Sequence, residues 1–107
     1  MLISEEIEEN DITEKQLFSI LGSKIRLKIL LLLSNKIELN ISKIIKLTKL
    51  NHGAITPHLK LLVESDILQE KKYGRIRLFR LKIEDYKVKA IKKLVDIWDS
   101  YGEIKRI

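Results

Sequence analysis

The 107-residue sequence predicts a mainly helical α+β domain with a small β-hairpin, on three observations. Apolar residues recur at helical spacing through most of the chain. Two helical stretches, one ending near Lys49 and the next opening within "NHGAITPHLK" (Asn51 to Lys60), are separated by only a brief turn. Directly after them, "ILQEKKYGRIRLFRLK" changes to two-residue alternation around a glycine turn, the pattern of a hairpin.

Thr13 is a suitable N-cap for the first helix, which is expected to carry Leu17, Ile20 and Leu21 inward. Gly22 reads as its C-cap, and Ser23 as the cap of a second helix holding Ile25, Leu27, Ile29, Leu30, Leu32 and Leu33. That helix is apolar on most sides toward its end, so it belongs at the centre of the domain, with Lys24, Arg26 and Lys28 on its outer face. "IELNI" alternates and predicts a short strand from Ile37 to Ile41, after which Ser42 caps a short helix through Ile44, Ile45 and Leu47. In the next helix Ile55, Leu59, Leu62 and Val63 form the inward stripe, yet Gly53 and Pro57 both disfavour helix interiors. A late start resolves the conflict, either near Gly53 or Ala54, or at Thr56 as cap with Pro57 first, where a missing N–H costs little. Asn51 and His52 then fall in the turn. Beyond the hairpin, Glu84 to about Tyr101 predicts a last helix striped by Val88, Ile91, Leu94, Val95, Trp98 and Tyr101. The chain thus divides into an acidic arm (1–12), a central domain (13–82) and a C-terminal helix (83–107) whose stripe could fold back on the domain or form half of a two-fold interface.

With 45% hydrophobic residues the chain can build one compact core, small enough for an oligomer interface to supplement it. The formal charge of +6 favours polyanionic partners, nucleic acid first. Charge is also segregated: Glu5, Glu6, Glu8, Glu9 and Asp11 make the arm acidic, whereas Lys71, Lys72, Arg75, Arg77, Arg80 and Lys82 make the hairpin basic. The absence of cysteine removes disulfides, thiolate metal sites and thiol nucleophiles. There is no apolar run of about eighteen residues, so no membrane span is expected and the expected compartment is the cytoplasm, on the nucleoid. Without a phosphate-binding glycine loop, an HExxH or a GxSxG, neither an enzyme nor a cofactor is expected.

Helix, helix, strand, helix-turn-helix, hairpin, helix is the order of a winged-helix domain. The stretches "ILGSKIRLKILLLL", "ISKIIKLTKLNHGAITPHLKLLVESDILQE" and "KKYGRIRLFRLK" resemble the small winged-helix repressors of the ArsR type, notably archaeal and bacterial members with a "GxxxxHLxxLxxxxxL" recognition helix. The resemblance spans Leu17 to Leu81 and implies DNA binding by a dimer, with the first and last helices forming the two-fold seam. Many such proteins sense metals through a cysteine-containing "ELCVxD" stretch. Here the matching "ELNISK" has Asn40 in place of the cysteine, and the only histidines, His52 and His58, lie in the recognition segment rather than the last helix. No metal is expected.

A helix fits the major groove with its first residues against base edges. On this reading Asn51, His52, Ala54, Thr56, Pro57 and Lys60 face the bases. The wing residues Lys71, Lys72, Tyr73, Arg75 and Arg77 lie on the backbone or in the minor groove, and Ser42, Lys43, Lys46, Lys49 and His58 contact phosphates. Leu17, Ile91, Leu94, Val95, Trp98 and Tyr101 are the expected dimer residues, and a dimer calls for a pseudo-palindromic double-stranded site. Arg26, in the family's "RLxIL" segment, is expected in an ion pair or on a phosphate. The leading function is a sequence-specific transcriptional regulator, with its effector unspecified. A non-specific architectural DNA-binding protein and a winged helix for protein contacts are the alternatives.

Overall fold

The protein was analysed as a computed structural model in which residues 13–106 are described, with side chains to Ser100. Eight elements follow in order: α1 (13–21), α2 (Lys24–Ser34), β1 (Leu39–Asn40), α3 (Ile41–Thr48), α4 (His52–Glu64), β2 (Leu68–Tyr73), β3 (Ile76–Leu81) and α5 (Tyr86–Arg106). The three strands form one antiparallel sheet in the order β1-β3-β2. This is the expected α+β winged helix-turn-helix, with a three-stranded wing sheet. The expected acidic arm lies outside the described residues, and so does the side chain of Tyr101.

The core forms around α2. Ile29, Leu30 and Leu33 are fully buried there against Ile44 of α3, Ile55, Leu59 and Leu62 of α4, Phe79 and Leu81 of β3, and Val88 of α5. Leu27 and Leu31, on the opposite side of α2, stay partly in solvent, so the helix is central on one face only. The β-hairpin turns on Gly74 and Arg75, because Tyr73 pairs with Ile76. Gly74 has φ +61°, the left-handed value that the first position of so tight a turn requires.

Several local boundaries differ from the expectations. Thr13 is already helical, so it is not the cap of α1. The strand expected from Ile37 is reduced to Leu39 and Asn40, and Ile37 is 92% exposed, with no strand partner to hold it. Asn40, not Ser42, caps α3: its Oδ1 accepts from the Lys43 amide at 2.8 Å. Asp85 does the same for α5, accepting from the Lys87 amide at 2.8 Å, which delays that helix past Glu84.

The late start expected for the recognition helix is also corrected. Asn51 is the N-cap, accepting from the Ala54 amide at 2.8 Å, and α4 is helical from His52. Pro57 therefore lies inside the helix rather than in its first position. The cap satisfies an otherwise free donor, and Ile55, Leu59 and Leu62 anchor both sides of the proline in the core.

Gly22 has a steric role distinct from a left-handed cap. Its amide donates to the Phe18 carbonyl at 3.0 Å, and a Cβ on it would sit 2.5 Å from that same oxygen. The sharp exit from α1 into the Ser23-capped start of α2 thus admits only glycine. Gly22→Ala is expected to destabilise the domain by about 1–3 kcal/mol, read as a fall in the midpoint of thermal unfolding. An unchanged midpoint would show that the turn relaxes freely.

Candidate nucleic-acid interface

The corner between α3 and α4 is built by three adjacent devices. Thr48, buried at the end of α3, donates its hydroxyl to the Ile44 carbonyl at 2.7 Å. Lys49 adopts the left-handed conformation (φ +61°), and its amide closes α3 on Ile45. Asn51 then starts α4. Lysine at a left-handed position costs more than glycine would there, roughly 1 kcal/mol. The strain keeps a cation at the corner.

Along the exposed side of α4 stand Asn51, His52, Pro57 and Lys60, with Ala54 and Thr56 half-buried beside them. The expected base-facing residues therefore do share the outward side of one helix. Several already have intramolecular partners: Asn51 is engaged in its cap, and the Thr56 hydroxyl donates to the His52 carbonyl at 2.7 Å and lies 3.3 Å from His52 Nδ1. Lys60 lies 4.0 Å from Glu64, with both side chains well exposed. Such a pair contributes little and is readily exchanged for a phosphate.

Of the expected phosphate contacts, Ser42, Lys43, Lys46 and Lys49 are all exposed on or just beyond α3. Lys43, Lys46 and Lys49 make no ion pair among the described residues. Their three-residue spacing aligns them beside the corner that leads into α4.

His58 is placed differently from the rest. It is half-buried, and its Nδ1 accepts a hydrogen bond from Arg26 Nε at 3.2 Å. Burial, and secondarily the positive charge of Arg26, hold its pKa below the ordinary histidine value. Arg26 is half-buried and makes no ion pair among the described residues: its remaining bonds go to the carbonyl and hydroxyl of Ser19.

The wing is less cationic than its composition suggests. Register places Glu70, Lys72 and Arg77 on one face of the hairpin, continuing the row that begins with Leu68, Phe79 and Leu81. Arg77 grips Glu70 with two bonds of 3.0 and 3.1 Å and lies over the Phe79 ring at 5.4 Å. Hydrogen bonding to Arg77 holds the Glu70 carboxyl below the usual carboxylate range. Lys72 approaches the same carboxylate at 3.7 Å, and Lys71 pairs with Glu38 at 3.1 Å. Arg80, outside the expected site, is held by Glu84 at 2.8 Å and by Gln69 at 2.6 Å. Among the described residues of the hairpin, Arg75 is the cation without a partner, and it stands at the turn beside exposed Tyr73 and Ile76. Glu38 and Glu70 were missed from sequence, although alternation about a Gly74-Arg75 turn puts Glu70 on the Arg77 face.

The expected dimer residues divide between two sides of α5. Val95 is buried and Ile91 half-buried against the domain, whereas Leu94 and Trp98 (72% exposed) face outward with Ile97. Leu17, expected inward, is 51% exposed and stands beside exposed Phe18 on α1. Leu17, Ile20, Leu21, Ile91 and Leu94 line an open groove of about 670 Å³ between α1 and α5. Among the described residues no helix is long and apolar enough to cross a membrane, and no cluster of side chains fits a metal ion.

Comparison with known proteins agrees with this geometry. Residues 23–70 match the profile of the bacterial regulatory proteins of the arsR family. The fold is similar to that of the transcriptional regulator HlyU from Vibrio vulnificus CMCP6, with 26% identity and a TM-score of 0.70 over 92% of this chain and 98% of that one. HlyU from Vibrio cholerae N16961 is similar too, with 24% identity and a TM-score of 0.69 over 82% of this chain and 92% of that one. The transcriptional repressor BigR from Xylella fastidiosa shares the fold at 18% identity, with a TM-score of 0.69 over 92% and 94% of the two chains. No curated protein sequence matches the chain. These relatives are regulators and not enzymes. Residues 23–70 are thus similar to the helix-turn-helix of the bacterial arsR-family regulatory proteins, within a fold that over most of the chain is similar to that of a solved transcriptional regulator.

Proposed function

We propose that the protein is a sequence-specific, dimeric transcriptional regulator that binds double-stranded DNA and acts as a repressor, with α4 in the major groove. The observation that carries this reading is the distribution of free charge. Among the described residues, Lys43, Lys46 and Lys49 on or just beyond α3 and Arg75 at the wing tip make no ion pair, while the remaining wing cations are committed to Glu38, Glu70 and Glu84. Free positive charge thus flanks the exposed start of α4, where phosphates on either side of a groove would lie. The repressor role follows the printed description of the BigR structure. Dimerisation rests on the exposed apolar surface of α1 and α5, since contiguous exposed apolar surface marks interaction sites.

Selection from a random DNA pool tests the reading. A near-palindrome with half-sites about one helical turn apart is the expected product. Equal affinity for selected and random DNA would instead indicate an architectural protein, and no binding at low salt a protein-interaction module. If Lys43, Lys46, Lys49 and Arg75 of each protomer all meet phosphates, a dimer should lose affinity with a slope of about −7 in log affinity against log salt.

Lys49→Gly should separate stability from binding. Relief of the left-handed strain is expected to raise stability by about 1 kcal/mol. The same change removes one cation from each protomer, so the salt slope should become shallower by about 2. A variant that is both more stable and undiminished in binding would take Lys49 out of the interface. Trp98→Ala should yield a monomer by sedimentation, with operator affinity lost, because exposed aromatic anchors dominate such seams. An unchanged sedimentation coefficient would exclude Trp98 from the interface.

A further inference from the structure

Arg26 occupies a position that neither the core nor the cationic surface explains. It lies in the first turn of α2 and reaches in two directions at once. Nη1 donates to the carbonyl and hydroxyl of Ser19 in α1, and Nε donates to Nδ1 of His58 in α4. One guanidinium therefore joins a helix of the apolar outer surface to the recognition helix. Arginine stays protonated and can only donate, so His58 Nδ1 must be an acceptor. The ring is accordingly neutral, with its proton on Nε2.

We infer that Arg26 is a positioning residue that fixes α4 against α1 through His58 Nδ1, and that protonation of His58 releases this tie and weakens recognition of specific DNA. The inference deepens the DNA-binding reading above and rests on it. A proton on Nδ1 turns the acceptor into a donor facing the guanidinium, and replaces a hydrogen bond with a contact between like charges. Arg26 of α2 is the charged group acting on the ring among the described residues; α1 supplies only neutral Ser19, and no carboxylate from α3, α4 or β2 is bonded to it. Among the described residues, therefore, none rewards the imidazolium. The lowered pKa has a definite sign: its contribution to stability is complete above the ordinary histidine value of about 6.5 and is lost as pH falls through the folded value.

A surface histidine near DNA would behave in the opposite way, since each added positive charge tightens binding to phosphates. Affinity for the selected operator should therefore be measured at about pH 7.5 and about pH 5.5, at constant salt, alongside affinity for random DNA. The expected result for the unaltered protein is a loss of operator affinity of roughly three- to tenfold on acidification, comparable to one hydrogen bond from a charged donor. Random-DNA affinity should hold or rise. His58→Asn offers an acceptor near the Nδ1 position that does not titrate, so in a His52→Asn background, which removes the exposed histidine of α4, it should flatten the operator profile. An operator affinity that rises on acidification, or a His58→Asn profile parallel to that of its His52→Asn parent, overturns the inference.

Nitrogen NMR of the imidazoles without DNA tests the tie by itself. The neutral His58 ring should carry its proton on Nε2, and Arg26→Gln should move its titration up toward the ordinary histidine value. A proton on Nδ1, or a titration insensitive to Arg26, would reject the tie even if DNA binding is confirmed. If the protein bound no DNA at any pH, the DNA reading would fall, and these spectra would still decide whether Arg26 holds His58.

Discussion

One helix face sets the position of everything else in this domain. Ile29, Leu30 and Leu33 of α2 are removed from solvent, and α3, α4, α5 and β3 all pack on that helix. Close packing leaves such a centre little freedom, because side chains inside proteins interdigitate at crystal-like density. The relation between the recognition helix and the hairpin is therefore not left to loops. Both lean on α2, α4 through Ile55, Leu59 and Leu62 and the sheet through Phe79 and Leu81, and α4 also packs directly on β2. A shift in the centre would move α4 and the hairpin together.

Around that fixed frame, charge is sorted rather than merely abundant. Cations on the hairpin faces are neutralised within the fold, whereas those on α3 and at the hairpin turn are left open. The internal pairs hold the hairpin in one shape before any partner arrives, which lowers the ordering cost of association. Hydrogen bonding to Arg77 also favours the ionised form of Glu70, holding its pKa below the usual carboxylate range. Net charge alone conveys none of this, because paired and open cations count equally in it.

The order of elements was legible because each has a strong period: three-and-four spacing in the helices and alternation in the hairpin. The glycine turn also marked where the hairpin reverses. What escaped were choices between neighbouring residues of similar propensity. Asn40 and Ser42 both make good caps, and only the pairing of β1 with β3 decides that the chain enters α3 at Asn40. Gly53 and Pro57 argued for a late α4, but Asn51 capping and burial of Ile55 outweigh local propensity. In α5 the apolar positions form two adjoining stripes. Sequence could not tell that Val88, Ile91 and Val95 would take the core while Leu94, Ile97 and Trp98 remained outside. The Arg26–His58 contact joins residues from separate helices and has no periodic signal at all.

Pro57, enclosed within α4, alters the polar character of that helix. Helix starts ordinarily offer their surroundings donors only, since the first amides lack partners while every carbonyl is taken by the turn above. Proline has no N–H, so the carbonyl four residues before it, that of Gly53, loses its helical donor. Gly53 is exposed and carries no side chain to screen that oxygen. The leading end of α4 consequently presents a main-chain acceptor next to its main-chain donors. It is a two-sided hydrogen-bonding surface whose chemistry no side-chain substitution at Gly53 would supply.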